Sequence, residues 1–194
     1  MTRAPTRSPA GGPRRSPAGE PARHPAGAPA RDLAAEVDRL SVRLLAVTDR
    51  LELRELFERY VIALDTVCER DHDDDWFRTV FTEDVRLDFP IGTRRGVAGF
   101  AGFLREARGW WERTHHISAT TGITLDGDRA TVRVHQLAAH VHRDGAHPAA
   151  PFDVGGYYDA RAVRTPAGWR FDRLAFRVVW SRGQRLASMA GAEF

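Results

Sequence analysis

From His116 to Trp180 the chain keeps a period of two, and this constrains its fold more than any other feature. HISATTGITL (His116–Leu125) and ATVRVHQLAAHVH (Ala130–His142) flank the turn Asp126-Gly127-Asp128. FDVGGYYDARAVR (Phe152–Arg164) and WRFDRLAFRVVW (Trp169–Trp180) flank the turn Thr165-Pro166-Ala167-Gly168. A polar loop with Pro148 and Pro151 separates the two pairs. Side chains alternate between the faces of a strand, so this pattern predicts two long hairpins forming a four-stranded antiparallel meander. Ahead of it, VRLDF (Val85–Phe89) alternates in the same way and predicts one short strand.

Before the strands the period is helical. Leu33, Val37, Leu40, Leu44, Val47 and Leu51 are spaced by fours and threes, which makes an apolar stripe on a helix. Asp49 followed by Glu52 reads as a fresh helix start, so the pattern predicts one helix near 32–47 and another near 50–68. The stripe suits packing on the domain or on a partner subunit, or a short coiled coil. WFRTVF (Trp76–Phe81) predicts a short helix. Gly96 to Trp110 predicts a further one, with Val97, Phe100, Phe103 and Leu104 on one side. Helices segregated from an antiparallel sheet define an α+β fold.

The first 31 residues differ from the rest. Proline recurs every fourth position from Pro5 to Pro29, and RSPAG, RSPAG and RHPAG recur every eighth. Such a segment cannot bury enough apolar surface to offset its ordering entropy, so 1–31 is expected to be a disordered tail. It also explains the net charge of +3. Six arginines against Glu20 lie in this tail, which leaves 23 arginines against 25 acids in the remainder. The domain itself is therefore slightly acidic, and no nucleic-acid groove is expected. No apolar run approaches the length of a membrane span, and no signal-peptide core follows Arg14-Arg15, so the expectation is a cytoplasmic protein. Cys68 is the single cysteine, which excludes an internal disulfide and a thiolate metal cage.

Two histidines carry the chemical question. His115 and His116 are neighbours at the start of a strand, so only one of them can face a given site. On the strand 130–142, Ala130, Val132, Val134, Ala138 and His140 share one parity and read as the inward face. If the Asp126-Gly127-Asp128 turn closes as a three-residue loop, residue 116 falls opposite 138, and His116 converges with His140. A two-residue turn brings His115 inward instead. Asp65 ends an apolar helical run, where an acid needs a partner or solvent.

LFERYVIALD (Leu56–Asp65), DWFRTVFTEDVRLDF (Asp75–Phe89), THHI (Thr114–Ile117), ITLDGDRATV (Ile123–Val132) and GGYYDARAVRTPAGWRF (Gly155–Phe171), ending in VVW (Val178–Trp180), resemble the SnoaL-like branch of the nuclear-transport-factor-2-like superfamily. That branch is similar to scytalone dehydratase and small polyketide cyclases. The resemblance implies a cone-shaped α+β barrel over 49–183, with helices on a strongly curved, mainly antiparallel sheet and a ligand cavity inside. It leaves 32–48 as an additional helix and 184–194 as a C-terminal tail. It implies assembly as a homodimer or homotrimer.

For the site, the resemblance favours His116 over His115 and matches His140 to a second cavity histidine. It implies that Asp65 holds a histidine in its working tautomer, with His116 as proton acceptor and His140 and a tyrosine as donors to a carbonyl oxygen. Asp65, His116 and His140 are thus the expected acid–base set, and Tyr60, Trp76, Phe89 and Tyr158 the expected substrate contacts. The expected reaction is a cofactor-independent dehydration, cyclisation or isomerisation of a small aromatic or polyketide-like molecule. Departures exist. Tyr158 stands where scytalone dehydratase has an asparagine, and Leu64 and Phe89 stand where it has water-positioning tyrosines, so the wall is more apolar and the substrate differs. Alternatives are a non-catalytic ligand-binding or assembly module, an epoxide-hydrolase-like enzyme using Asp65, Asp88 and an arginine, and the small subunit of a ring-hydroxylating dioxygenase. No HExxH, nucleophile elbow or dinucleotide fingerprint is present, so neither metal nor cofactor is expected. Gly155-Gly156 inside a strand predicts sharp sheet curvature.

Overall fold

The computed structural model describes residues 28–70, 72–143, 151–186, 189 and 191. The repeated-proline segment lies outside the described residues up to residue 27, as does most of the loop around Pro148. The chain forms two compact units, Met1–Leu40 and Ser41–Phe194. In the first, the described residues are the opening turns of helix α1 (Ala28–Thr66), on which Leu33, Val37 and Leu40 are each at least half exposed.

The second unit holds the rest: α1 from Ser41, α2 (Asp74–Arg78), β1 (Phe81–Phe89), β2 (Gly92–Arg95), α3 (Phe100–Gly109), β3 (Arg113–Asp126), β4 (Arg129–Val141), β5 (Phe152–Thr165) and β6 (Gly168–Arg182). The strands form one curled sheet in the order β2-β1-β6-β5-β4-β3. The four-strand meander is present as expected. β1 adds to it in parallel beside β6, and β2, which the sequence pattern did not reveal, pairs back on β1. The result is the α+β cone. Leu53, Phe57, Tyr60 and Val61 of α1 pack inside the sheet against Val132, Val134, Tyr158 and Phe171, all buried.

The helix boundary expected near residue 48 is absent, since α1 runs unbroken through it. Asp49 does not cap a helix. Its carboxylate accepts from Arg164 Nη2 at 2.7 Å and from Trp169 Nε1 at 3.1 Å, and the Arg164 guanidinium lies 4.4 Å from the centre of the Trp169 ring. An acid that resembles a cap locally is therefore a clamp between α1 and the β5–β6 hairpin. Leu44, Val47 and Leu51 of the apolar stripe remain more than half exposed in this unit.

Asp73 and Asp74, from the acid-rich segment before α2, are fasteners. Asp73 caps α2 by accepting from Trp76 N at 2.7 Å. Asp74 accepts from Gly99 N at 2.6 Å and from Ala101 N at 3.0 Å, and so fixes the start of α3 at Phe100 rather than Gly96. The C-terminal stretch is also not a loose tail throughout, since Met189 is buried with Trp111, Phe152 and Val154.

The β5 glycines mark close approaches. The β5–β6 register shifts between Gly155 and Gly156. A Cβ on Gly156 would lie 2.2 Å from the backbone oxygen of Arg177, whereas a Cβ on Gly155 would meet the Trp180 indole, also at 2.2 Å. An indole that is 46% exposed can swing aside, but a paired backbone cannot. Gly156→Ala is therefore expected to lower the unfolding free energy by about 2 kcal/mol or more, and Gly155→Ala by clearly less. Urea denaturation of both variants checks the ordering, and equal losses would contradict it.

Candidate active site

Asp65 occupies the last turn of α1, and its carboxylate turns onto the first residues of β3. Oδ1 accepts from Thr114 Oγ1 at 2.7 Å and from His116 Nδ1 at 2.6 Å, and Oδ2 accepts from the His116 backbone N–H at 2.9 Å. Burial alone would raise the pKa of this carboxyl. The bonds from His116 and Thr114 outweigh that effect and hold it below the ordinary carboxylate range. A carboxylate can only accept, so Nδ1 of His116 carries a proton, and in the neutral ring the lone pair is on Nε2. The ring lines the cavity, and its side chain is only 12% exposed.

The choice between the two histidines follows an unexpected route. The turn is two residues long, with Asp126 paired to Arg129. Continued without interruption, that register would bring His115 inward. A β-bulge between Ala119 and Thr121 shifts the pairing by one, so His116 comes to lie opposite Ala138 and His115 faces outward, exposed. Of the two turn lengths left open by the sequence, the structure has the two-residue one, and the bulge still turns His116 inward.

His140 lies on the neighbouring strand with its ring centroid 5.6 Å from that of His116, edge to face. Its Nδ1 donates to the carbonyl oxygen of Phe152 at 2.9 Å. Burial, with the charge of a protonated His116 as the next cause, pushes its pKa down to about 4. The ring is therefore neutral at physiological pH, and Nε2 is an acceptor. This revises the role expected for His140, which was that of a proton donor.

The cavity measures about 140 Å³ and is lined mostly by apolar groups, including Leu64, Phe89, Phe103, Trp110, Trp111 and Phe176. This is close to the size of cavities that admit a single aromatic ring. Tyr60 and Tyr158 lie on its wall with their ring centroids 5.9 Å apart, edge to face. Desolvation raises both pKa values, so both hydroxyls stay protonated and able to donate. Arg108 also touches the cavity, but its guanidinium is held by the carbonyl oxygens of Asp65, Trp111 and Glu112.

Of the expected site residues, Asp65, His116, His140, Tyr60, Phe89 and Tyr158 come together, six from five separate elements. Trp76 does not. The α2 cap turns its indole onto the His72 ring, 4.2 Å away, and it does not line the cavity. Asp88, needed for the epoxide-hydrolase alternative, bonds Arg86 and Thr93 elsewhere. Cys68 is exposed. Several lining residues lie outside the expected set, among them Phe103, Trp110, Thr114, Phe176 and Gln136. Gln136 is buried at 3% exposure on the inward parity of β4, between Val134 and Ala138, where its position in the alternation could have revealed it.

The neutral His140 makes a prediction about pH. Between pH 6.5 and 4 the unfolded chain binds a proton at this position and the folded protein does not, so stability falls as pH drops through that window. The loss is about 3 kcal/mol when complete. The depressed Asp65 adds a further loss below its ordinary value of 3.8. Thermal midpoints measured across this range should decline, and His140→Leu should flatten the part between pH 6.5 and 4. An unchanged slope in the variant would remove the basis for a neutral His140.

The family model of the SnoaL-like domain matches residues 46–175. Among solved structures, the Kfla4162 protein of Kribbella flavida is 31% identical with a TM-score of 0.62, covering 71% of this chain and 95% of its own. A scytalone dehydratase candidate from Novosphingobium aromaticivorans shares the fold at 18% identity and a TM-score of 0.61, covering 76% of this chain and 93% of its own. A type 2 hexachlorocyclohexane dehydrochlorinase, LinA, does so at 18% identity and a TM-score of 0.55, covering 76% and 91%. The chain belongs to the SnoaL-like domain family of the nuclear-transport-factor-2-like superfamily.

Proposed function

We propose that the protein is a cofactor-independent acid–base enzyme that eliminates water from, cyclises or isomerises a small aromatic or polyketide-like molecule. The observation that carries this reading is the Asp65–His116 pair, with one ring nitrogen engaged by a carboxylate and the other facing an apolar cavity. Nε2 of His116 takes a proton from a carbon next to a substrate carbonyl. The electron pair of that C–H bond moves towards the carbonyl oxygen, where a protonated hydroxyl of Tyr60 or Tyr158 meets the developing charge. Asp65 stabilises the imidazolium that results. In a dehydration, the carbon–oxygen bond then breaks and the Nε2 proton leaves with the hydroxyl as water. In an isomerisation or cyclisation, the same proton returns to another atom. One histidine therefore serves as base and then as acid, and the neutral His140 accepts a hydrogen bond from the substrate. Two fold relatives whose names denote eliminations support this reading.

Association of copies through the outer face of the sheet belongs to the same proposal. Ile117 and Leu137 lie opposite each other and are both half exposed, and Trp180 lies across Gly155 beside them. Leu137→Arg should convert a homodimer or homotrimer to monomer in size-exclusion chromatography with light scattering. Wild-type protein that runs as a monomer would end that idea.

The enzymatic reading is tested by incubating small-molecule extracts with wild type, His116→Ala and Asp65→Asn, followed by chromatography and mass spectrometry. Wild type is expected to convert one species to a product that has lost water or is isobaric, and both variants should slow this by about 10²–10⁴-fold. Identical profiles for wild type and variants would leave a binding module as the better account. A gain of water would favour hydrolysis.

A further inference from the structure

The cavity contains one polar group that neither the fold nor the proton-transfer pair uses. Oε1 of Gln136 is buried and has no hydrogen-bond partner among the described residues. A buried acceptor without a partner is costly, and a leucine would fill this place between Val134 and Ala138 without that penalty. The backbone around it leaves room. Gln136 pairs with Gly156 on one side and Ser118 on the other, and the next inward position is the small Ala138, opposite His116. The carboxamide therefore sits one strand step from the His116 ring, about 7 Å by sheet geometry, on the same face.

The other polar atoms restrict what Gln136 can meet. Nε2 of His140 is a lone pair, the Asp65 carboxylate is negative, and the Arg108 guanidinium is occupied by three backbone carbonyls. Polar atoms are thus few within the apolar walls, and the Gln136 carboxamide brings both an acceptor oxygen and N–H donors. A carboxylate or phosphate would find no free cation, and a halogenated or purely hydrocarbon ring would leave Gln136 unpaired.

We infer that Gln136 is the specificity element of the cavity, and that it selects a neutral ring compound carrying a hydroxyl remote from the reacting carbon, with that hydroxyl donating to Oε1. This rests on the proposed proton transfer only for the location of the reacting carbon, because the selection itself is a property of binding.

The test uses three single-ring probes, phenol, chlorobenzene and benzoate. Binding is followed through the fluorescence of Trp110 and Trp111, which line the cavity. Wild type is expected to bind phenol about tenfold or more tightly than chlorobenzene, and benzoate most weakly. Gln136→Leu should erase the preference for phenol while keeping the affinity for chlorobenzene. It should also raise the thermal midpoint, since it removes a buried unpaired acceptor, whereas a purely structural glutamine would lower it when replaced. Equal binding of phenol and chlorobenzene by wild type, no binding of either, or a preference that survives in Gln136→Leu would each overturn the inference. Failure of the proton-transfer reading would show separately, as unaltered turnover in His116→Ala alongside an intact phenol preference.

Discussion

The site depends on a single carboxylate. Asp65 holds the last turn of α1 against the first residues of β3 through three hydrogen bonds, two of them from His116. The backbone bond fixes where β3 begins its course along the sheet, and the ring bond fixes the tautomer of the histidine. One interaction therefore sets both the position and the protonation pattern of the group that would carry a proton. The acid is tolerated in a half-buried place because every bond it accepts favours its charged form.

The two histidines meet edge to face in nearly the same surroundings and yet differ in kind. His116 bonds a carboxylate, and His140 bonds a neutral carbonyl. Stabilising a positive charge next to an anion is possible, whereas stabilising a second one 5.6 Å away inside an apolar wall is not. The pair is thereby divided between a group that can accept and hold a proton and one that stays neutral. The buried tyrosines beside them are held protonated by desolvation.

Much of this was legible in the chain. Alternation over 116–180 predicted the meander, and the inward parity of β4 placed His140 correctly relative to its neighbours. Gln136 was equally legible on that parity. Asp49 shows where local reading fails, because an acid followed by Glu52 has the form of a helix start, while its partners, Arg164 and Trp169, lie more than a hundred residues away. Trp76 fails for a similar reason, since a cap formed by Asp73 decides which way the indole turns.

The inward histidine marks the boundary between the two kinds of information. The sequence by itself determined the element types, the polar and apolar faces of the strands, and the set of side chains able to move a proton, because periodicity and residue chemistry are local properties. It could not decide between His115 and His116. Ile123 and Leu125 face the core on one parity and His116 on the other, and only the bulge between Ala119 and Thr121 permits both. That bulge exists because the β3 core residues and the Asp65 anchor must both be satisfied, and these constraints come from opposite ends of the strand and from a different element. Only tertiary structure brings them to bear on the same residues.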